Sequence, residues 1–182
     1  MEIYLIRHTP PKVGTGICYG QTDIPLDDNF EIESGKIKLE IPEKFDVIFS
    51  SPLTRCKLLA ENIFNTLKIP CFEIDDRLIE FNFGKWEMKK WEIIDSSEFK
   101  SWEADLVNYQ IPEGESLAAM QKRVNGFIDD LLIRKIGKAV IITHAGVIRC
   151  FLSKFKNISV MDTFKIPVEF STIHTLYINQ QI

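Results

Sequence analysis

Short apolar runs alternate with stretches of helical period along nearly all of this 182-residue chain, and that alternation narrows the fold more than any other feature. Strands are expected at Glu2–Arg7, Phe45–Ser50, Cys71–Ile74, Ala139–Thr143 and Ser171–Asn179. Between them, Cys56, Leu59, Ala60, Ile63 and Leu67 recur at helix spacing and predict a helix over Leu53–Leu67. Met120, Val124, Phe127, Ile128 and Leu131 predict another, capped by Ser116 and running to about Arg134. Further helices are expected at Phe30–Leu39 and Val147–Phe155, with short ones around Lys90–Asp95 and Glu98–Leu106. Strands separated by helices pair in parallel and take helices on both faces, because each crossover must return over the sheet. The expected fold class is therefore a three-layer α/β/α domain with a mostly parallel central sheet, spanning residues 1–182 as a single domain.

In such sheets, ligands bind beyond the carboxyl ends of the strands. The first strand ends in Arg7-His8, before Thr9-Pro10-Pro11. The fourth ends in Thr143-His144, before Ala145-Gly146. A third end, Ser50-Ser51-Pro52, is soon followed by Arg55. These groups converge on one sheet edge, and together they suit an anion. Arginine presents a planar fork of donors that matches phosphate oxygens. Without an anion the cluster repels itself, whereas a phosphoryl group spreads charge over its equatorial oxygens in the transition state and needs those donors.

Imidazole attacks phosphorus when one ring nitrogen is held by an acceptor and the other is free. His8, rigidly placed by its strand, is the expected nucleophile, and His144 its electrostatic partner. The neighbouring arginines are expected to keep the attacking ring neutral by disfavouring its protonation. Glu80 lies among apolar residues in Leu78–Gly84 and is the candidate acid for the leaving alkoxide, then the base for water. Other residues read as structural. His174 falls inside the last strand. Trp86, Trp91 and Trp102 read as packing residues, with Trp86 a candidate pocket wall. Cys56 and Cys150 fall on apolar helix faces, and Cys18 in the long Pro10–Asn29 loop reads as packing rather than catalysis.

A net charge of −4 provides no overall positive field for nucleic acid or membrane, so the expected partner is a small-molecule phosphomonoester held by local cations. No apolar run approaches the roughly 20 residues that span a bilayer, and the first residues do not read as a signal peptide. Four scattered cysteines form no C-x-x-C pair, which argues against a zinc site or disulfide framework and fits a cytoplasmic location.

Five segments, in order, resemble the histidine phosphatase superfamily, the phosphoglycerate mutase-like group. "LIRHTPP" resembles its Arg-His-Gly signature, and "FSSPLTRCKLLAENI" its Ser-Ser-Pro-x-x-Arg segment. "LIEFNFGKWE" is similar to its acid-donor stretch, "PEGESLAAMQKRV" to its Gly-Glu-Ser helix start and "VIITHAGVIR" to its second histidine. The resemblance implies a phosphoglycerate mutase-like fold and no metal or other cofactor. It implies that His8 is phosphorylated, that Arg7, Arg55 and His144 complete the phosphate pocket, and that Glu80 donates the proton. Within the superfamily, "GICYGQTDIPL" and "FNFGKWEMKKWEII" are most similar to the alpha-ribazole phosphatase group, which implies substrate contacts at Tyr19, Gly20 and Gln21. Sugar-phosphate phosphatases share much of the second stretch, and phosphoglycerate mutases are a further alternative. The chain departs from the pattern at Thr9, where glycine is usual, at Gly14, where relatives often carry a phosphate-contacting asparagine, and in lacking the Gly-x-x-Gln-Ala helix start.

Overall fold

The computed structural model describes residues 1–179; positions 180–182 of the expected domain lie outside it. Its sheet contains β1 (Glu2–Arg7), β2 (Val47–Ser50), β3 (Phe72–Ile74), β4 (Lys138–Thr143) and β5 (Ile173–Tyr177). The spatial order is β3-β2-β4-β1-β5. The first four strands pair in parallel, and β5 runs antiparallel along β1. The α-helices are α1 (Phe30–Glu40), α2 (Thr54–Leu67), α3 (Ser96–Ala104), α4 (Leu117–Leu132) and α5 (Ala145–Lys156).

Side chains alternate across a strand, so each strand supplies two cores. Ile3, Leu5, Phe49 and Ile141 share one with Val124 and Phe127 of α4 and Phe151 of α5. Ile6, Ile48, Val140 and Ile142 share the other with Ile37 of α1 and Leu59 and Ile63 of α2. This is the expected α/β/α layering. Central β4 is buried from Ala139 to Thr143, which is why it reads as an unbroken apolar run. No helix among the described residues is long and apolar enough to cross a membrane.

Three local departures shape the site. Helix α5 begins at Ala145, two residues before the expected Val147, so His144 is its N-cap residue. Helix α2 begins at Thr54 and is capped from a distant loop: the Asp23 carboxylate accepts from the Thr54 backbone N–H at 3.0 Å and from its hydroxyl at 2.5 Å. The helix expected around Lys90–Asp95 is a single 3₁₀ turn at Trp91–Ile93. The 10–29 loop is zipped against this region: Cys18 N–H donates to the Lys89 carbonyl (2.8 Å), Met88 N–H to Cys18 (2.8 Å) and Trp91 N–H to Gly16 (3.0 Å). Cys18 is consequently fully buried, as a packing residue should be. The two stretches that resembled one enzyme group are thus one packed unit.

Candidate active site

The sheet register brings the two histidines together. Arg7 pairs with Thr143, and His8 N–H donates to the Thr143 carbonyl at 3.0 Å. His8 and His144, the next residue of each strand, place their rings 5.1 Å apart at 65°. On the other side of β4, Ser51 N–H donates to Ile142 at 3.0 Å, so the β2 end with Ser51 lies level with them.

His8 Nδ1 lies 2.7 Å from the Thr9 carbonyl. A carbonyl only accepts, so Nδ1 carries the proton and Nε2 of the neutral ring keeps its lone pair. Burial holds the His8 pKa well below the usual histidine value, and the Arg55 and Arg7 charges add to this. The sequence-based expectation assigned that effect to the arginines; desolvation is the larger cause, because the ring is 1% exposed. His144 is also held well below its ordinary pKa, first by burial and then by His8 and the arginines.

A stability prediction follows from these depressed values. The unfolded chain binds protons at histidines near pH 6.5, whereas the folded chain does not. The contribution is complete above that pH and is lost as pH falls towards the lower folded values. Two such groups give a slope of up to about 2.7 kcal/mol per pH unit. Thermal melts at pH 7.5 and 5.5 should show a clear drop in midpoint, reduced in His144→Asn; an unchanged midpoint would contradict neutral buried rings.

The two site arginines, like Arg149 of α5, lack the carboxylate partner that the remaining arginines have, and they alone leave a buried Nε without a hydrogen bond among the described residues. Arg77, Arg123 and Arg134 each pair with a carboxylate. Arg7 and Arg55 have no carboxylate within 4.0 Å among the described residues, and the Nε of each is buried without a hydrogen-bond partner. Arg7 donates Nη1 to the Val168 carbonyl at 2.6 Å and lies 3.7 Å over the Phe170 ring. Fully buried Arg55 donates to the carbonyls of Thr22 (2.9 Å) and Gly20. Tyr19 lies by both guanidinium groups; burial pushes its phenol up while their charges pull it down.

Supporting contacts fix these groups. Glu87 accepts from the backbone N–H groups of Gln21 (2.9 Å) and Thr22 (2.6 Å) and from the Thr22 hydroxyl. It therefore holds the loop whose carbonyls hold Arg55. Gly20 is required there, since a Cβ would stand 1.9 Å from the Phe81 carbonyl oxygen. The Gln21 amide donates to the Glu80 carbonyl at 2.9 Å, so its side chain braces the acid rather than reaching freely into the site. Half-buried Glu80 accepts from Phe81 N–H (2.8 Å) and Gly146 N–H (3.4 Å). A Cβ on Gly146 would stand 2.5 Å from the Glu80 carboxylate, which explains the glycine after His144-Ala145.

Several contributors gave no clear signal in the sequence. Arg123 donates to the carbonyls of Arg77, Ile79 and Glu80 while paired with Glu115, and so pins the strand of chain carrying Glu80. Glu87 and Glu115 stood within recognisable stretches, but their partners are distant in sequence. Cys56 is buried as expected, yet its Sγ lies 3.4 Å from His144 Nε2, which also shares a 2.8 Å hydrogen bond with Ser51 Oγ. Trp86 does not line the pocket; it is buried, donating Nε1–H to Glu98 at 2.8 Å. Trp91 and Trp102 do line it. His174 lies on β5 beside Leu5, away from the site histidines in the register.

From Glu80 a cleft of about 520 Å³ opens, walled by Phe81, Phe83, Trp91 and Trp102 on one side and by Met161 and Phe164 at another edge. Its charged lining residues are Glu80, Glu103 and Arg149. The arrangement sets two cations and two imidazoles held towards the neutral form at one sheet edge, and Glu80 and the Ala145-Gly146 start of α5 join them to a mostly apolar cleft.

The family model of the histidine phosphatase superfamily (branch 1) matches residues 3–181, and the chain belongs to that superfamily. Phosphoserine phosphatase 1 of Hydrogenobacter thermophilus is 28% identical over 152 residues, covering 81% of this chain and 72% of that protein. The crystal structure of the alpha-ribazole phosphatase from Shigella flexneri superposes with a TM-score of 0.89 at 24% identity, covering 99% of this chain and 92% of that one. A Thermus thermophilus structure, TTHB049, matches at 28% identity and a TM-score of 0.74, covering 97% and 93%.

Proposed function

We propose that the chain is a metal-independent phosphomonoesterase in which His8 Nε2 attacks phosphorus and forms a phosphohistidine. The observation that carries this is the pair of guanidinium groups without carboxylates, Arg55 fully buried and Arg7 partly so, each with a buried Nε that lacks a hydrogen bond, set beside a ring whose Nδ1 is already committed. Buried charge without a partner is costly, and a phosphoryl group supplies the partner. Arg7, Arg55 and His144 hold its equatorial oxygens, with Tyr19 beside them. Glu80 protonates the leaving oxygen as the P–O bond breaks. Its carboxylate then takes a proton from water as water attacks phosphorus and the P–N bond breaks. In this reading Gly20 and Gln21 act indirectly, through Arg55 and the Glu80 backbone.

The cleft bears on the leaving group. Its aromatic walls suit a flat apolar group and have few charges to satisfy a small polar one. We assign the substrate as alpha-ribazole 5′-phosphate, a benzimidazole nucleoside phosphate, hydrolysed to alpha-ribazole and phosphate in assembly of the cobalamin nucleotide loop within the cytoplasm. The two packed loop stretches support this. A phosphoserine or sugar-phosphate substrate is the second reading, favoured by the name of the Hydrogenobacter relative. A phosphoglycerate mutase is disfavoured, because Arg149, the one cation lining the cleft, already donates to the Thr163 and Ile166 carbonyls. Steady-state kcat/KM across alpha-ribazole 5′-phosphate, phosphoserine and several sugar phosphates tests the assignment. The nucleoside phosphate should lead by at least about tenfold, the scale of one good aromatic contact; a leading sugar phosphate or phosphoserine would sink it.

A further inference from the structure

One edge of the leaving-group cleft is built unlike the rest. Phe81, Phe83, Trp91 and Trp102 belong to an interlocked set of rings, with Phe83 and Trp91 centred 5.4 Å apart and Trp91 stacked on Trp102 at 6.1 Å and 19°. Phe164, which also lines the cleft, sits outside that set in a single 3₁₀ turn, Asp162–Lys165, and is 57% exposed. That turn packs on α5. Its brace is Arg149 of α5, which donates Nη1 to the carbonyls of both Thr163 and Ile166 (3.1 Å to the latter). The same guanidinium lies 4.6 Å over the Phe164 ring. What sets Phe164 apart from the other exposed apolar side chains is that it lines the cleft and that its turn and its ring are both held by one guanidinium. Helix α5 is also the element whose N-cap is His144, so the brace ties Phe164 to the phosphate end of the site.

We propose that Phe164, held in place by Arg149, is the specificity-determining platform on which a flat aromatic leaving group stacks; this rests on the phosphatase reading above. Phe164 contacts the leaving group and Arg149 is a positioning residue acting through it. The reacting atoms lie at the other end, so the pair controls which substrates are accepted and leaves the order of bond changes as it is.

The test compares one flat and one small substrate, 1-naphthyl phosphate and phosphoserine, in the wild type and in Phe164→Ser, Phe164→Trp, Arg149→Gln and the double variant Phe164→Ser/Arg149→Gln. Taking the ratio of kcat/KM values within each protein cancels differences in intrinsic reactivity. In Phe164→Ser the ratio of naphthyl to seryl substrate should fall roughly 10- to 50-fold, mainly through KM, as for loss of one stacking partner. Phe164→Trp should restore it. Arg149→Gln should lower the ratio in the same direction, and adding Phe164→Ser to it should produce little further loss, because both act on one contact. Equal losses on both substrates, or additive losses in the double variant, would overturn the proposal. If the wild type hydrolyses neither these two substrates nor alpha-ribazole 5′-phosphate, the phosphatase reading fails and this one falls with it; if it hydrolyses both with an unchanged ratio in Phe164→Ser, this one fails alone.

Discussion

Replacing His8 by alanine should abolish turnover, with kcat falling by a factor on the order of 10⁴ or more, the scale of losing a covalent nucleophile. The strand places the ring, the Thr9 carbonyl holds Nδ1, and burial disfavours the charged ring, so Nε2 keeps its lone pair at neutral pH. No other residue duplicates that. His144 is the nearest imidazole, but its Nε2 is shared with Ser51 and Cys56. Rapid quench with phosphorus-labelled substrate should trap an acid-labile, base-stable phosphoryl group on the wild type and none on His8→Ala. Near-normal turnover in the variant, or label retained without His8, would remove the mechanism. The substitution leaves a small cavity in a site that already contains two unpaired arginines, so folding should be confirmed by a cooperative melt.

Glu80→Gln should slow turnover by roughly 10²- to 10⁴-fold on an alkyl phosphate, as when a general acid is lost. The amide keeps the size of the side chain and can still occupy the space left by Gly146, so the variant separates proton transfer from packing. The loss should depend on the leaving group. With p-nitrophenyl phosphate, whose phenolate needs no proton, phosphorylation of His8 should remain fast. Hydrolysis of the phosphohistidine still needs a base for water and should remain slow. A burst of one nitrophenolate per enzyme followed by a slow phase is therefore expected. Equal slowing on both substrates with no burst would show that Glu80 serves a structural purpose only.

Much of this was legible in the residues. The short apolar runs and the period-3.6 patterns located each strand and each long helix to within a few positions, because strands covered on both faces are apolar throughout and the helix faces that cover them must repeat at helix spacing. His8 and His144 stood out because polar groups directly after buried strands are oriented by the strands themselves. Other features were hidden for physical reasons. The start of α5 at Ala145 was missed because Ala145 and Gly146 have no apolar side chain to extend the pattern. Trp86 and Trp91 look alike in sequence, yet the turn at Gly84–Trp86 buries one and the turn at Trp91–Ile93 presents the other to the cleft.

The sequence by itself determined the layering, the sheet class and the choice of the five candidate site groups, since these depend on periodicity and on residue type at strand ends and in the segment after β3. Only the tertiary structure decided how those groups are held. The Glu87 clamp on residues 21–22, the Asp23 cap on α2, the Arg123–Glu115 pin behind Glu80 and the Arg149 brace on Phe164 join residues from 8 to 66 positions apart. Such contacts leave no period in a sequence, because a side chain's partner across space is set by how the loops close over the sheet and not by what precedes it along the chain.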